Sequence, residues 1–314
     1  MARPIVVILD DWQRALGTQP DMARLRDRAE VRVYDDAADS PDELARRLDG
    51  AVAVVPIRER TEFSEAVFAR APTLRLLAQT GGGVAHVDRA AAERHGVRIA
   101  TTGGPDYPVV ELTIGLMIDL LRRLSWSDRQ MHAGEWPMFV GQDCHGKTLG
   151  ILGFGRIGSG VGRVAAALGM RVIAWGPTLT AERAAAGGAT MLDMDDVLRQ
   201  SDVLSIHLRL SPESRGLLSR EKLSLMRASA YLINTARGAI VDEAALVDML
   251  RTRRLAGAGL DVFVEEPLPA DHPLRGLDNV VLTPHVGWPA EGNYAHWGRR
   301  ADEEIIAFLD AEGL

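Results

Sequence analysis

Residues 148–158 read Thr148-Leu149-Gly150-Ile151-Leu152-Gly153-Phe154-Gly155-Arg156-Ile157-Gly158, a short apolar run that ends in a G-x-G-x-x-G. In a chain with 31 glycines among 314 residues the glycine pattern alone is a weak signal. Its surroundings strengthen it. Residues 161–168 follow with helical spacing, and Arg171-Val172-Ile173-Ala174-Trp175 reads as a second strand. This is the order of strand, tight turn, helix and strand in which backbone N–H groups at a helix start hold a pyrophosphate. Gly153, Gly155, Arg156, Ile157 and Gly158 are therefore candidate dinucleotide-binding residues. A carboxylate that accepts the ribose 2′-OH of NAD is expected about 20 residues further on, but the second strand ends Trp175-Gly176-Pro177-Thr178, and the nearest cation is Arg183. The choice between NAD and NADP stays open at this point, with NAD the favoured expectation.

Outward from this loop the chain keeps alternating short β-branched runs with helical stretches, which argues for right-handed βαβ units and parallel sheets. Further strands are expected at 203–207, 230–234, 257–262 and 280–283, giving with the first two a six-stranded Rossmann sheet. Ahead of it, apolar runs at 5–9, 31–34, 51–55, 74–79 and 97–100 predict a separate five-stranded, flavodoxin-like unit. A long helix over 109–130, entered after the turn-rich Gly103-Gly104-Pro105-Asp106-Tyr107-Pro108, is expected to connect the two. A last helix over 290–309 has no strand after it and is expected to return to the first unit. The fold class is thus α/β, with two doubly wound parallel-sheet domains. Residues 1–100 and 287–314 form a discontinuous substrate domain, residues 101–286 form the dinucleotide-binding domain, and the active-site cleft is expected between them.

Composition narrows the partners. Charged residues make up 25% and hydrophobic ones 46%, the balance of a water-soluble globular protein. Lys and Arg total 36 against 43 Asp and Glu, a net charge of −7 with no like-charge run, which argues against nucleic acid or an anionic membrane surface. The only cysteine, Cys144, cannot close an intrachain disulfide, and the start of the chain has no cleavage-type signal, so a cytoplasmic location is expected. The apolar stretch 112–121 is too short for a membrane span and is broken by Asp119. No metal is called for.

Three further motifs carry a resemblance to a known family. They are Asn234-Thr235-Ala236-Arg237-Gly238, then Gly259-Leu260-Asp261-Val262-Phe263 running into Glu265-Glu266-Pro267, then Thr283-Pro284-His285-Val286-Gly287. With the glycine loop they resemble the D-isomer-specific 2-hydroxyacid dehydrogenases over nearly the whole chain. The resemblance implies an NAD(P)-dependent oxidoreductase with Arg237, Glu266 and His285 as its catalytic trio. It also places Thr235, Ala236 and Asp261 against the cofactor, with a buried capping or turn role the alternative for Asp261, and the backbone of Gly81, Gly82 and Gly83, in Gln79-Thr80-Gly81-Gly82-Gly83-Val84, against the substrate carboxylate. His86 departs from the family, which often has Asn there. Glutamate at 266 disfavours formate, whose oxidising relatives carry Gln. With the chain ending at Leu314, no C-terminal regulatory domain is expected.

The residues support this chemistry on their own terms. Each member of the trio follows an expected strand, and ligands of open parallel sheets bind at the carboxyl ends of the strands. Oxidising a 2-hydroxy acid removes a hydride from C2 and a proton from its hydroxyl, so a group titrating near neutrality is needed there, and His285 suits it. A nearby carboxylate, Glu266, favours the imidazolium and orients it. A planar guanidinium, Arg237, binds the substrate carboxylate bidentately. The expected reaction is hydride transfer between nicotinamide and C2 of a small D-2-hydroxy acid or 2-oxo acid such as glyoxylate or hydroxypyruvate. Arg58, Arg60, Tyr107 and Trp288 are positioned to face substrate or simply to pack. The alternative class is a dinucleotide-sensing binding protein resembling the transcriptional corepressors that share this architecture. A homodimer is expected, with Leu112, Leu116, Leu120 and Leu124 spaced by four on the long helix as a face that serves either the dimer or the core.

Overall fold

Every paired strand in residues 3–314, the part of the chain described by the computed structural model, runs parallel to its neighbours. The chain divides into two units, one made of residues up to Pro105 together with Pro289–Leu314, the other of Asp106–Trp288.

In the first unit β1 (Ile5–Leu9), β2 (Glu30–Val33), β3 (Ala51–Pro56), β4 (Leu76–Gln79) and β5 (Arg98–Thr101) form a sheet of order β2-β1-β3-β4-β5. The central strands are covered on both faces, so β4 is buried throughout and β3 nearly so, whereas the edge strands β2 and β5 hold no fully buried residue. Val7, Leu9, Val54 and Leu77 pack on one side with Phe63 and Phe68. Helix starts follow the local chemistry: Ser40 accepts the Glu43 amide at 3.2 Å with Pro41 in the first turn, and Asp88 accepts the Ala91 amide at 2.9 Å. The last helix, Glu291–Glu312, packs on this sheet. Trp297, 1% exposed, donates its indole N–H to the Gly103 carbonyl at 2.8 Å, and Asp302 accepts the Leu25 amide at 3.0 Å.

The second unit holds β6 (Thr148–Leu152), β7 (Arg171–Trp175), β8 (Thr190–Met191), β9 (Val203–Ile206), β10 (Tyr231–Asn234), β11 (Gly257–Leu260) and β12 (Val280–Leu282). Their order is β12-β11-β10-β9-β6-β7-β8. The sheet has seven strands, where the sequence suggests six. The additional strand, β8, is two exposed residues pairing with Ile173 and Ala174 at the edge. The chain progresses outward from β6 through β7 to β8, then crosses back to β9 and continues the other way. The carboxyl ends of β6 and β9 therefore flank the topological switch point at which such sheets bind ligands.

The connecting helix and the unit boundaries differ from those expected. The connecting helix is two helices, Tyr107–Arg122 and Leu124–His132, because Arg123 takes a left-handed backbone (φ 53°) and Asp119 accepts the Ser125 amide at 2.8 Å, restarting the chain at a new angle. The leucine stripe is mainly core: Leu116 and Leu120 are buried against β11, where a Cβ at Gly259 would meet Leu116 at 3.1 Å and Leu120 at 3.3 Å. Leu124 alone of the four is exposed. The unit boundaries fall at 105/106 and 288/289, later than the 100/101 and 286/287 read from the sequence. After β5 the Thr102 amide still bonds the Gln79 carbonyl and the Gly103 amide the Gly81 carbonyl, which keeps this stretch with the first sheet. Among the described residues no helix is long and apolar enough to cross a membrane.

Candidate active site

The three glycines after β6 do different jobs. Gly153 has φ +96°, and a Cβ there would lie 2.6 Å from the His207 carbonyl group, so only glycine fits. A Cβ on Gly158 would lie 2.2 Å from the Gly153 oxygen, so this glycine lets the helix Arg156–Ala167 seat on its own turn. Gly155, at the start of that helix, has open space within 4 Å of a Cβ. None of the described residues fills that space, as expected where backbone approaches a pyrophosphate. Arg156 is exposed with Nε 3.1 Å from an Asp106 oxygen, and Ile157 is half-buried against the core. The end of β7 carries no carboxylate. Gly176 stands there, close to the loop, with a Cβ position 3.9 Å from Gly153 Cα.

The expected trio comes from three adjacent strands. Arg237 follows β10, Glu266 lies in the segment after β11 and His285 follows β12. His285 Nδ1 is 2.7 Å from Glu266 Oε2, and the other Glu266 oxygen accepts the Phe263 amide at 2.9 Å. Burial raises the cost of the Glu266 charge. The His285 hydrogen bond, the Phe263 amide and the positive charges of His285 and Arg237 outweigh it and hold the carboxyl below the usual carboxylate range. An ionised Glu266 can only accept, so Nδ1 carries a proton and Nε2 is left to exchange one with a ligand. Both side chains are about one-third exposed, His285 at 33% and Glu266 at 35%, which leaves a ligand room to reach the imidazole.

The backbone under these groups is fixed by buried polar side chains. His285 has φ 54°, uncommon outside glycine, and such residues are held by their surroundings. The holder is Asp261, 1% exposed, which accepts Thr283 Oγ1 at 2.6 Å, the Val286 amide at 2.8 Å and the Gly287 amide at 2.9 Å. Burial pushes the Asp261 carboxyl up against the pull of those three donors. The contacts of this aspartate are thus with the His285 loop. Asn234, also 1% exposed, takes the Ala236 amide at 3.0 Å and donates to the Arg237 carbonyl at 2.9 Å, which sets the turn that presents Arg237. A Cβ on Gly238 would strike the Phe263 backbone at 2.1 Å, so the Arg237 turn presses directly on the segment leading to Glu266. Thr235 Oγ1 lies 3.0 Å from Thr113 Oγ1. Sequence reading gives Asn234 no separate role, although it opens the quoted motif.

In the first unit, residues 81–83 follow β4. Gly81 has φ +82° and its amide already bonds Thr102 Oγ1 at 2.9 Å. The amides of Gly82 and Gly83 have no hydrogen-bond partner among the described residues. Gln79 ties the loop together, donating to the Arg58 and Thr80 carbonyls at 2.9 Å and accepting from His86 Nε2 at 3.0 Å. Arg60 donates to the Asp10 carbonyl at 2.6 Å and stacks 3.8 Å from the centre of the Trp12 ring.

The chain is similar to known proteins over most of its length. The family model for "D-isomer specific 2-hydroxyacid dehydrogenase, NAD binding domain" matches residues 114–287. A glyoxylate reductase of Aeropyrum pernix is 40% identical over 256 residues, 78% of this chain and 76% of that protein. A D-3-phosphoglycerate dehydrogenase of Archaeoglobus fulgidus is 34% identical over 278 residues, 88% of this chain but 52% of the relative, so this chain spans about half the length of that protein. Among solved structures, a phosphoglycerate oxidoreductase from Vibrio cholerae superposes with a TM-score of 0.89 at 31% identity, covering 99% of this chain and 100% of the other.

Proposed function

Since this chain belongs to the D-isomer-specific 2-hydroxyacid dehydrogenases, a family of NAD-dependent oxidoreductases, we propose that it interconverts a small D-2-hydroxy acid and its 2-oxo acid, of the glyoxylate and hydroxypyruvate kind. The observation that supports this most directly is the 2.7 Å pair of His285 and Glu266 beside Arg237, on strand ends of the sheet that carries the glycine loop.

A bound nicotinamide dinucleotide supplies or accepts the hydride at C2. Its pyrophosphate is assigned to Gly153, Gly155, Arg156, Ile157 and Gly158, and its nicotinamide side to Thr235 and Ala236. The rest of the chemistry falls to side chains of this chain. In reduction, His285 Nε2 donates a proton to the C2 oxygen as the hydride arrives, and in oxidation it takes the proton back. Glu266 keeps Nδ1 protonated and stabilises the imidazolium. Arg237 binds the substrate carboxylate and polarises the C2 oxygen. Asp261 holds the loop that carries His285, a role its three accepted hydrogen bonds favour over contact with the nicotinamide.

The active form is proposed to be a homodimer. The feature in favour is a short stretch of exposed apolar residues, Trp136 (76% exposed), Met138 (86%) and Val140 (97%). A reducing, cytoplasmic setting suits the single unpaired Cys144. The test is the initial rate of NADH and, separately, NADPH oxidation with glyoxylate, hydroxypyruvate, pyruvate and phenylpyruvate. Turnover of one or more acids is expected. Silence with all of them, despite nucleotide binding, would remove the proposal.

A further inference from the structure

The glycine loop lies between two strand ends whose chemistry selects the nucleotide. β9, β6 and β7 are consecutive in the sheet. On the β7 side the position for a ribose-binding carboxylate is Gly176, and a Cβ there would lie 3.8 Å from Phe154 N, so this position borders the loop and brings no negative charge to it. Two residues on, the Thr178 carbonyl accepts a hydrogen bond from Arg183 Nη1 at 2.8 Å. That bond returns an exposed guanidinium to the end of β7, with its remaining donors unused by any carboxylate among the described residues.

On the β9 side the His207 carbonyl and the Leu208 amide lie within 2.9 Å of the Cβ position of Gly153, which makes this segment the opposite wall of the loop. Burial pushes the His207 imidazole down to about 4, so it is neutral at pH 7 and adds no positive charge. The next charged residue is Arg209, exposed and with no ion pair among the described residues.

We infer that the dinucleotide of this chain is NADP(H), its 2′-phosphate held by Arg183 from the β7 side and Arg209 from the β9 side of the glycine loop. The inference rests on the oxidoreductase reading above and departs from the NAD expectation drawn from the sequence. A carboxylate at the end of β7 accepts the ribose 2′-OH and repels a phosphate; here it is absent, and the ribose hydroxyl of NAD loses its acceptor. A dianionic 2′-phosphate instead meets two planar guanidiniums, each able to offer paired N–H donors.

The experiment is calorimetric titration of the purified full chain with NADPH and NADH, and with 2′-AMP and 5′-AMP as fragments that isolate the phosphate position. NADPH is expected to bind at least about tenfold tighter than NADH, and 2′-AMP tighter than 5′-AMP. R183L and R209L should each weaken NADPH binding about tenfold while leaving NADH affinity in place. G176D should reverse the preference. Equal or tighter binding of NADH by the unaltered protein overturns the inference, as does a preference that survives in the R183L/R209L double variant. Tight NADPH binding without turnover of any acid would leave this inference standing and remove the enzymatic reading, and binding of neither nucleotide would remove both.

Discussion

His285 Nδ1 and Glu266 Oε2 lie 2.7 Å apart on loops that follow neighbouring strands, with the second Glu266 oxygen tied to the Phe263 amide. This bond decides which imidazole nitrogen holds the proton. In E266Q the side-chain amide can turn an N–H toward Nδ1, which then accepts and leaves the neutral ring with its proton on Nε2. The expected result is a fall in kcat of about a hundredfold or more with nucleotide affinity unchanged. A second consequence is in stability. The Glu266 carboxyl titrates lower in the fold than in the unfolded chain. Its contribution is therefore full above the unfolded value of about 4.3 and is lost as pH falls through the lower folded value. Urea midpoints of the two proteins should differ at pH 7 and converge as pH falls through that lower folded value.

The glycine loop separates binding from folding. G155A places its Cβ in open space at φ −87° and should leave stability within about 0.5 kcal/mol while weakening nucleotide binding about tenfold or more. G158A drives a Cβ to 2.2 Å from the Gly153 oxygen and should cost about 2–4 kcal/mol as well as binding. Paired thermal melts and nucleotide titrations distinguish the two.

Asn234 is a positioning residue for Arg237. In N234A the Ala236 amide and the Arg237 carbonyl both lose their partner in a buried turn, at a cost of about 2–3 kcal/mol. A solely structural role would lower the melting temperature and leave the kinetic constants alone. Displacing the guanidinium that holds the 2-oxo acid carboxylate should in addition raise its KM about tenfold.

The apolar run at Trp136, Met138 and Val140 should be the self-association surface. Replacing all three with Ser removes exposed apolar area and no core packing, so the variant should fold normally and run as a monomer in light scattering. A dimeric mass retained by the variant would count against this surface, and a monomeric mass for the unaltered protein would count against the homodimer.

How far the sequence carried the reading depends on whether the signal is local. β1, β6 and β7 are read to the residue, because each is an apolar run bounded by polar or turn residues. Arg237, Glu266 and His285 stand out through the three motifs that resemble the family, and each follows one of the strands the sequence predicts. β8 was not, since Thr190–Met191 is a two-residue edge pairing with no buried residue to leave a pattern. The break at Arg123 was hidden because one left-handed residue interrupts a helix without interrupting its leucine spacing. The holding roles of Asn234 and Asp261 depend on which backbone groups come within reach of a buried side chain, and that is set by the turn rather than by composition. The approach of Gly176 and of the His207–Leu208 backbone to the glycine loop is likewise set by strand order, which places β9 and β7 on either side of β6.

The central claim is that His285 moves the proton, and single-turnover reduction of the best 2-oxo acid by H285N tests it most directly. With nucleotide bound as tightly as in the unaltered protein, the rate of hydride transfer should fall by about a hundredfold to ten-thousandfold. A rate for H285N within a few fold of the unaltered protein would contradict the assignment and move the acid–base role to another group.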